Sequence, residues 1–288
     1  MIRPRTRLIP CVLLIAISIA FTIGHAQPGM EFVTEWYVGG EPAHISVQAT
    51  TGEVFVNINN NYRVVKYTAE GEGLMEFGRE GEIPAGIAVD SAGNSVVAVN
   101  INNNYRVVRY GVYGEFLAEW QGTGELGGIA VDGAGNSVVA VNINNNYRVV
   151  KYGPFGEILA SWTGEGTAMA ITADPEGSIL VVASITSVIR VLRYSVEGVL
   201  LAQWPLTGGV IETNGIVVAP GGEIFVTVNS NYRIAMYSAE GEWLGELGSE
   251  GTGQGQFLSP AGLAIDAYGR LFVADAGNGR IQVLQISF

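Results

Sequence analysis

A seven-residue motif that returns along the chain constrains this sequence more than any other feature. Asn61-Tyr62-Arg63-Val64-Val65-Lys66-Tyr67 recurs at 104–110 and 146–152, with weaker copies at 188–194, 231–237 and 278–284. The arginines of the six copies, Arg63, Arg106, Arg148, Arg190, Arg233 and Arg280, are spaced by 42 or 43 residues and finally by 47. A period in the low forties is the length of one four-stranded propeller blade.

The strands of a period can be read in order. In the second unit, 85–90 is an apolar strand closed by Ser91-Ala92-Gly93-Asn94, and 95–100 is a Val-rich strand. An Asn loop leads to 105–110, and Gly111 to Gly114 turns the chain into 115–120. All four pieces are short, rich in β-branched or aromatic residues, and bounded by Gly and Asn turns. Val96-Val97-Ala98-Val99 is apolar at consecutive positions, which predicts burial on both faces, as in radially stacked sheets. First strands fall near Ile45, Ile87, Ile129, Ile171, Ile216 and Leu263, which predicts six blades. The chain ends after the third strand of the last unit, while 31–38 resembles a fourth strand. The predicted fold is therefore all-β, a six-bladed β-propeller whose N-terminal strand completes the last blade.

The sequence of the last unit carries a family resemblance. Ser259-Pro260-Ala261-Gly262-Leu263-Ala264-Ile265-Asp266, Leu271-Phe272-Val273-Ala274-Asp275 and Asn278-Gly279-Arg280-Ile281-Gln282-Val283 together resemble an NHL repeat. Gly251 to Phe257 is similar to that family's inter-repeat loop. The resemblance implies the propeller fold but not one function, because the family includes secreted lyases, receptor-like modules and RNA-binding platforms.

Residues 1–26 read as an export signal: Arg3, Arg5 and Arg7, then the apolar run from Val12 to Ile23, then Gly24-His25-Ala26. The expected mature chain is a single propeller domain, 27–288, secreted or periplasmic, with no integral membrane segment. Cys11 lies in the signal, so no disulfide is expected. The full chain has a formal charge of −12, and loss of three arginines takes the mature chain to −15. Such a charge opposes phosphate backbones, and no nucleic-acid partner is expected.

Up-and-down strands put the second-to-third loops and the blade-to-blade crossovers on one rim, where a scaffold usually carries its binding loops. Two residue sets are expected there. The first is an Asn–Tyr set, with Asn60, Tyr62, Asn103, Tyr105, Asn145, Tyr147, Asn229 and Tyr232 as candidate contacts. Amide groups and aromatic faces together suit a glycan, a peptide or a protein partner. The second is acidic: Glu41, Glu82, Glu125, Glu165 and Glu212 each precede a first strand and are expected to ring the channel mouth. Oxygen ligands of that kind suit Ca²⁺. The repeated Trp36, Trp120, Trp162 and Trp204, with Phe77, are expected to pack between blades, and Asp90, Asp132, Asp174 and Asp266 to stabilise turns.

These features favour a binding or scaffolding role that requires no cofactor. The alternative is a Ca²⁺-dependent lactonase-like or lyase-like enzyme at the channel mouth. The resemblance extends to propeller lyases that depend on histidine, but the expected mature chain retains His44 alone.

Overall fold

The strands form where the sequence alternates runs of Val, Ile and aromatic residues with Gly-centred turns. The computed structural model describes residues 29–59, 63–79, 82, 84–207 and 213–287. The proposed export signal and its cleavage site lie outside the described residues, as do Asn60, Tyr62 and Glu212. Six four-stranded antiparallel sheets follow one another along the chain.

Blade 1 is Pro42–Val47, Val54–Ile58, Arg63–Tyr67 and Gly73–Phe77. Blade 2 is Pro84–Val89, Ser95–Ile101, Asn104–Tyr110 and Phe116–Thr123. Blade 3 is Glu125–Val131, Ser137–Ile143, Asn146–Tyr152 and Ile158–Glu165. Blade 4 is Thr167–Ala173, Ile179–Ile185, Val188–Tyr194 and Leu200–Pro205, and blade 5 is Ile216–Val218, Ile224–Val228, Arg233–Tyr237 and Trp243–Leu247. Blade 6 is Pro260–Ile265, Arg270–Asp275 and Arg280–Ser287, with Gly29–Tyr37 as its outer strand. The first strands contact one another in sequence, and that of blade 6 contacts that of blade 1, so the ring closes.

Closure has both a backbone and a side-chain component. Gly29–Tyr37 pairs antiparallel with Arg280–Ser287, from Gly29 opposite Ser287 to Tyr37 opposite Arg280. The buried Arg280 then ties the ends together: its guanidinium donates to Asp275 and to Glu35, each at 2.8 Å, and to the carbonyls of Thr252, Gly253 and Gln256. Charge-assisted bonds of this kind are about twice as strong as neutral ones.

The second strands are buried on both faces, and alternate residues serve different neighbours. Val97 packs with Phe55 and Val64 of blade 1, whereas Val96 and Ala98 pack with Val139 and Val141 of blade 3. Fully burying such a side chain contributes about 1.5–3 kcal/mol, which is how a chain without disulfides holds six sheets together. The repeated aromatics wedge between blades. Trp36 meets Tyr67 at 6.0 Å between ring centroids, Phe77 meets Tyr110 at 5.1 Å, Trp120 meets Tyr152 at 5.6 Å and Trp162 meets Tyr194 at 5.7 Å. Each aspartate at the end of a first strand closes its turn and holds a cation. Asp132, for example, accepts from the amides of Ala134 and Asn136 and pairs with Lys151 at 2.6 Å. Burial works against the Asp132 carboxylate, but these hydrogen bonds outweigh it and leave its pKa below the usual carboxylate value.

Candidate functional site

The second-to-third hairpins and the crossovers do share one rim, because asparagine side chains tie them together. Asn142 near the tip of blade 3 accepts from the Ala168 amide at 2.8 Å and donates to the Ala168 carbonyl at 3.0 Å, clasping the start of blade 4. Asn100 in the same way accepts from Leu126 of blade 3 at 2.9 Å. The crossover amides of Gly124 and Gly166 donate to the carbonyls of Asn103 and Asn145.

In blades 2, 3 and 4 the hairpin tip is a two-residue turn. Asn102 and Asn103 have φ of 47° and 62°, Asn144 and Asn145 have 52° and 62°, and Thr186 and Ser187 have 49° and 66°. A two-residue turn whose twist suits the flanking strands needs both central residues at positive φ, and Asn tolerates that conformation well. Asn103 and Asn145 are thus turn formers first, with exposed side chains that remain free to meet a ligand.

The tight turn sets the fate of the tyrosines. Tyr105 lies opposite Asn100, and Tyr147 opposite Asn142, well inside the ladder. Both are buried, 2% and 1% exposed. The Tyr105 hydroxyl meets that of Tyr152 in the next blade at 2.5 Å, and the Tyr147 hydroxyl meets that of Tyr194 at 2.6 Å. Burial, reinforced by these hydroxyl partners, raises the pKa of Tyr105 and Tyr147. Their expected role as ligand contacts is corrected accordingly: these rings seal the seams between blades and offer no face to a partner.

In blade 5 the same kind of motif folds differently. Its ladder ends with Val228 opposite Arg233, and the loop between them leaves Tyr232 partly exposed at φ 58°. Asn229 and Asn231 each bury a side-chain carbonyl oxygen that has no hydrogen-bond partner. Of the predicted Asn–Tyr set, the structure therefore keeps Asn103, Asn145, Asn229 and Tyr232 at the rim.

The acidic ring is not assembled by its described members. Glu82 pairs with Arg106 of its own blade. Glu41 is exposed, Glu125 opens the first strand of blade 3, and Glu165 closes the fourth strand of that same blade. Among the described residues no group of three or more His, Cys, Asp or Glu side chains is placed to hold a metal ion. The physical reason is register: Glu41 and Glu125 stand four residues before the repeated Ile, but Glu82 stands five and Glu165 six before it, so the described glutamates do not all occupy equivalent positions around the axis.

The feature that sequence reasoning missed concerns the repeated arginine. Arg63 pairs with Glu76 at 3.0 Å, Arg106 with Glu82, Arg233 with Glu246, and Arg280 with Glu35 and Asp275 at 2.8 Å each. Arg148 and Arg190, on the adjacent blades 3 and 4, have no acidic partner among the described residues, and the Arg148 Nε is buried without a hydrogen bond. The signal was present in the fourth strands. The residue before the repeated aromatic or Leu is Glu35, Glu76 and Glu246 in the three blades whose arginine it meets, and Ser161 and Gln203 in blades 3 and 4; in blade 2 it is Glu119, which pairs with Arg79 while Arg106 takes Glu82.

A family model for the NHL repeat matches residues 257–284, which span the blade 6 strands held by Arg280. The chain is a six-bladed β-propeller carrying an NHL repeat. Among solved structures, this propeller is similar to the β-propeller domain of Cps50 (Swd1) from Myceliophteria thermophila. That pair has a TM-score of 0.66 at 10% identity, over 90% of this chain and 100% of the other. It is also similar to a streptogramin B lyase, with a TM-score of 0.62 at 12% identity over 91% and 98% of the two chains. At these identities the likeness concerns the fold alone. No curated protein matches the sequence.

Proposed function

We propose that this propeller is a binding module or scaffold that holds a protein partner on the hairpin rim of blades 2 to 4. An NHL-repeat propeller suits a protein-binding role in general. The observation that carries the finer reading is the pair Arg148 and Arg190, left without an acidic partner among the described residues in a chain of formal charge −12. A guanidinium whose charge the fold does not neutralise is available to a carboxylate from outside, and Arg is well suited to bidentate recognition of that group. The exposed Asn102, Asn103, Asn144 and Asn145 lie along the same rim and offer uncharged donors and acceptors for a peptide backbone. Burial of Tyr105 and Tyr147 removes the flat aromatic platforms on which a sugar ring would stack, which favours a peptide over a glycan.

The reading includes export, with residues 1–26 as the signal, for which N-terminal sequencing of the protein recovered outside the cytoplasm is the check. Selection from a displayed peptide library tests the binding claim. Wild-type protein is expected to enrich sequences rich in Asp and Glu, and R148E/R190E is expected to lose at least tenfold in affinity for them. Enrichment without acidic bias, or equal affinity in the charge-reversed variant, would remove blades 3 and 4 as the site.

A further inference from the structure

The fourth strand of each blade is the outer edge of its sheet. An edge strand presents backbone N–H and C=O groups to whatever meets it, and charged side chains are a common protection against pairing with another edge. Five outer strands of this propeller follow that rule, carrying Glu35, Glu76, Glu119, Glu165 and Glu246. Leu200–Pro205 of blade 4 does not: among the described residues it is the one outer strand without a charged side chain. Val199, Leu200 and Leu201 are 61%, 45% and 56% exposed, and Ala202 and Gln203 continue the exposed run.

One hydrogen bond fixes which backbone groups of this edge are free. The Leu206 amide donates inward, to the Ile189 carbonyl at 2.8 Å. The ladder then runs without a register shift from Arg190 opposite Pro205 to Arg193 opposite Ala202. Alternation along it turns the amides of Trp204 and Ala202 inward, and turns the amide and carbonyl of Gln203 outward. Pro205 has no amide to offer, which suits an edge position and ends the free run.

We propose that two copies of this chain pair antiparallel along the outer strands of blade 4, about a two-fold axis through Gln203. Each Gln203 amide donates to the Gln203 carbonyl of the other copy, and two four-stranded sheets become one of eight strands. Such a contact requires a patch complementary to itself. The axis provides it: Leu201 comes opposite Pro205, and Val199 opposite Thr207, of the second copy, with no like charges facing. Charge selects both the strand and the partner. Two chains of formal charge −12 repel, so they approach best where acids are absent. In blades 1, 2, 5 and 6 the place of Gln203 is taken by Glu76, Glu119, Glu246 and Glu35, and an axis there would set two carboxylates face to face. In blade 3 that place is Ser161, but an axis through it would set the exposed Glu157 opposite the exposed Glu165 of the second copy. A charged segment of another protein gains no ion pair on Leu200–Pro205, whereas a second uncharged edge matches it. The Arg148 and Arg190 rim does not depend on this edge, and the two readings stand or fall independently.

Sedimentation velocity on the full chain, from micromolar concentrations upward, reads the association directly. A reversible monomer–dimer equilibrium is expected, shifting towards dimer as salt is added, because salt screens the repulsion between two acidic chains. Q203P removes an amide that points away from the blade, so it is expected to weaken the dimer at least tenfold while Tm holds. In a Cys11→Ser background, Q203C is expected to oxidise to a disulfide-linked dimer, since facing Cα atoms of a hydrogen-bonded pair lie about 5.5 Å apart. S161C, at the same place in blade 3, is expected to remain monomeric. A monomer at every concentration, a dimer that Q203P leaves intact, or equal crosslinking of Q203C and S161C would each overturn the proposal. The wild-type and crosslinking readouts do not need Q203P, so they stand even if that variant fails to fold.

Discussion

Replacing Tyr147 by Phe tests whether these tyrosines belong to the fold or to the ligand. The Tyr147 hydroxyl has a single partner, the Tyr194 hydroxyl 2.6 Å away across the seam between blades 3 and 4, and both rings are buried. Y147F deletes one oxygen and strands the other in the core. An unsatisfied buried hydroxyl costs about 1–3 kcal/mol. For a domain of this size each kcal/mol lowers Tm by about 2–4 °C, so a cost near 2 kcal/mol corresponds to a fall of about 4–8 °C. The double variant Y147F/Y194F removes both hydroxyls and leaves two rings of nearly the original shape, and is expected to lose less than about 1 kcal/mol. The cycle should then show a coupling of at least about 1 kcal/mol, measured by urea unfolding and calorimetry on the four proteins. Peptide binding at the rim should be unchanged in Y147F. Additive losses, or a neutral Y147F, would mean that the hydroxyls are not paired and that the ring is free to serve a ligand.

Two further outcomes follow from individual contacts. Gly156→Ala places a Cβ 2.9 Å from that of Trp120 at a φ of +87°, and overpacking with backbone strain should cost about 2–4 kcal/mol. Gly133→Ala, where a Cβ meets nothing within 4 Å, should be near neutral, and comparable Tm losses in the two variants would refute the inter-blade contact. His44 supplies the pH dependence. Its folded pKa, about 4, lies below the unfolded value of 6.5, so the unfolded chain takes up a proton that the folded chain refuses. Stability should therefore fall as pH drops from 6.5 towards 4, by about 3 kcal/mol in all, and H44Q should lack that component in urea unfolding at pH 7.5, 5.5 and 4.5.

The propeller was legible because each blade repeats the same demands. Val96 to Val99 announces a strand buried on both faces, and Trp120 and Trp162 recur where blades must be wedged apart. The rim was harder because Asn-Asn-Asn-Tyr-Arg does not determine its own hairpin. In blade 2 the chain turns over Asn102 and Asn103 alone, whereas the described ladder of blade 1 already ends with Ile58 opposite Arg63. Once the two-residue turn is known, alternation places Tyr105 on the same face as Val107, inside the core, and the two do share one cluster. The acidic set misled for a simpler reason. A glutamate a few residues before a strand is not a glutamate at one height on the channel wall. That Arg148 and Arg190 lack an acid among the described residues was readable from Ser161 and Gln203, but only after the structure had identified the fourth-strand glutamate as the partner of this arginine in blades 1, 5 and 6.

Every position argued above depends on the ring being closed by the two ends of the chain. Glu31 lies directly opposite Gln285 in the pairing of Gly29–Tyr37 with Arg280–Ser287. Opposed residues of an antiparallel ladder have Cα atoms about 4.5–5.5 Å apart, within the reach of a disulfide. In a Cys11→Ser background, E31C/Q285C should oxidise to one intramolecular crosslink between residues 31 and 285, found by mass spectrometry of the digested protein, whereas E31C/E115C should not. Failure of the first pair to crosslink, or equal crosslinking of both pairs, would contradict the closed six-bladed ring.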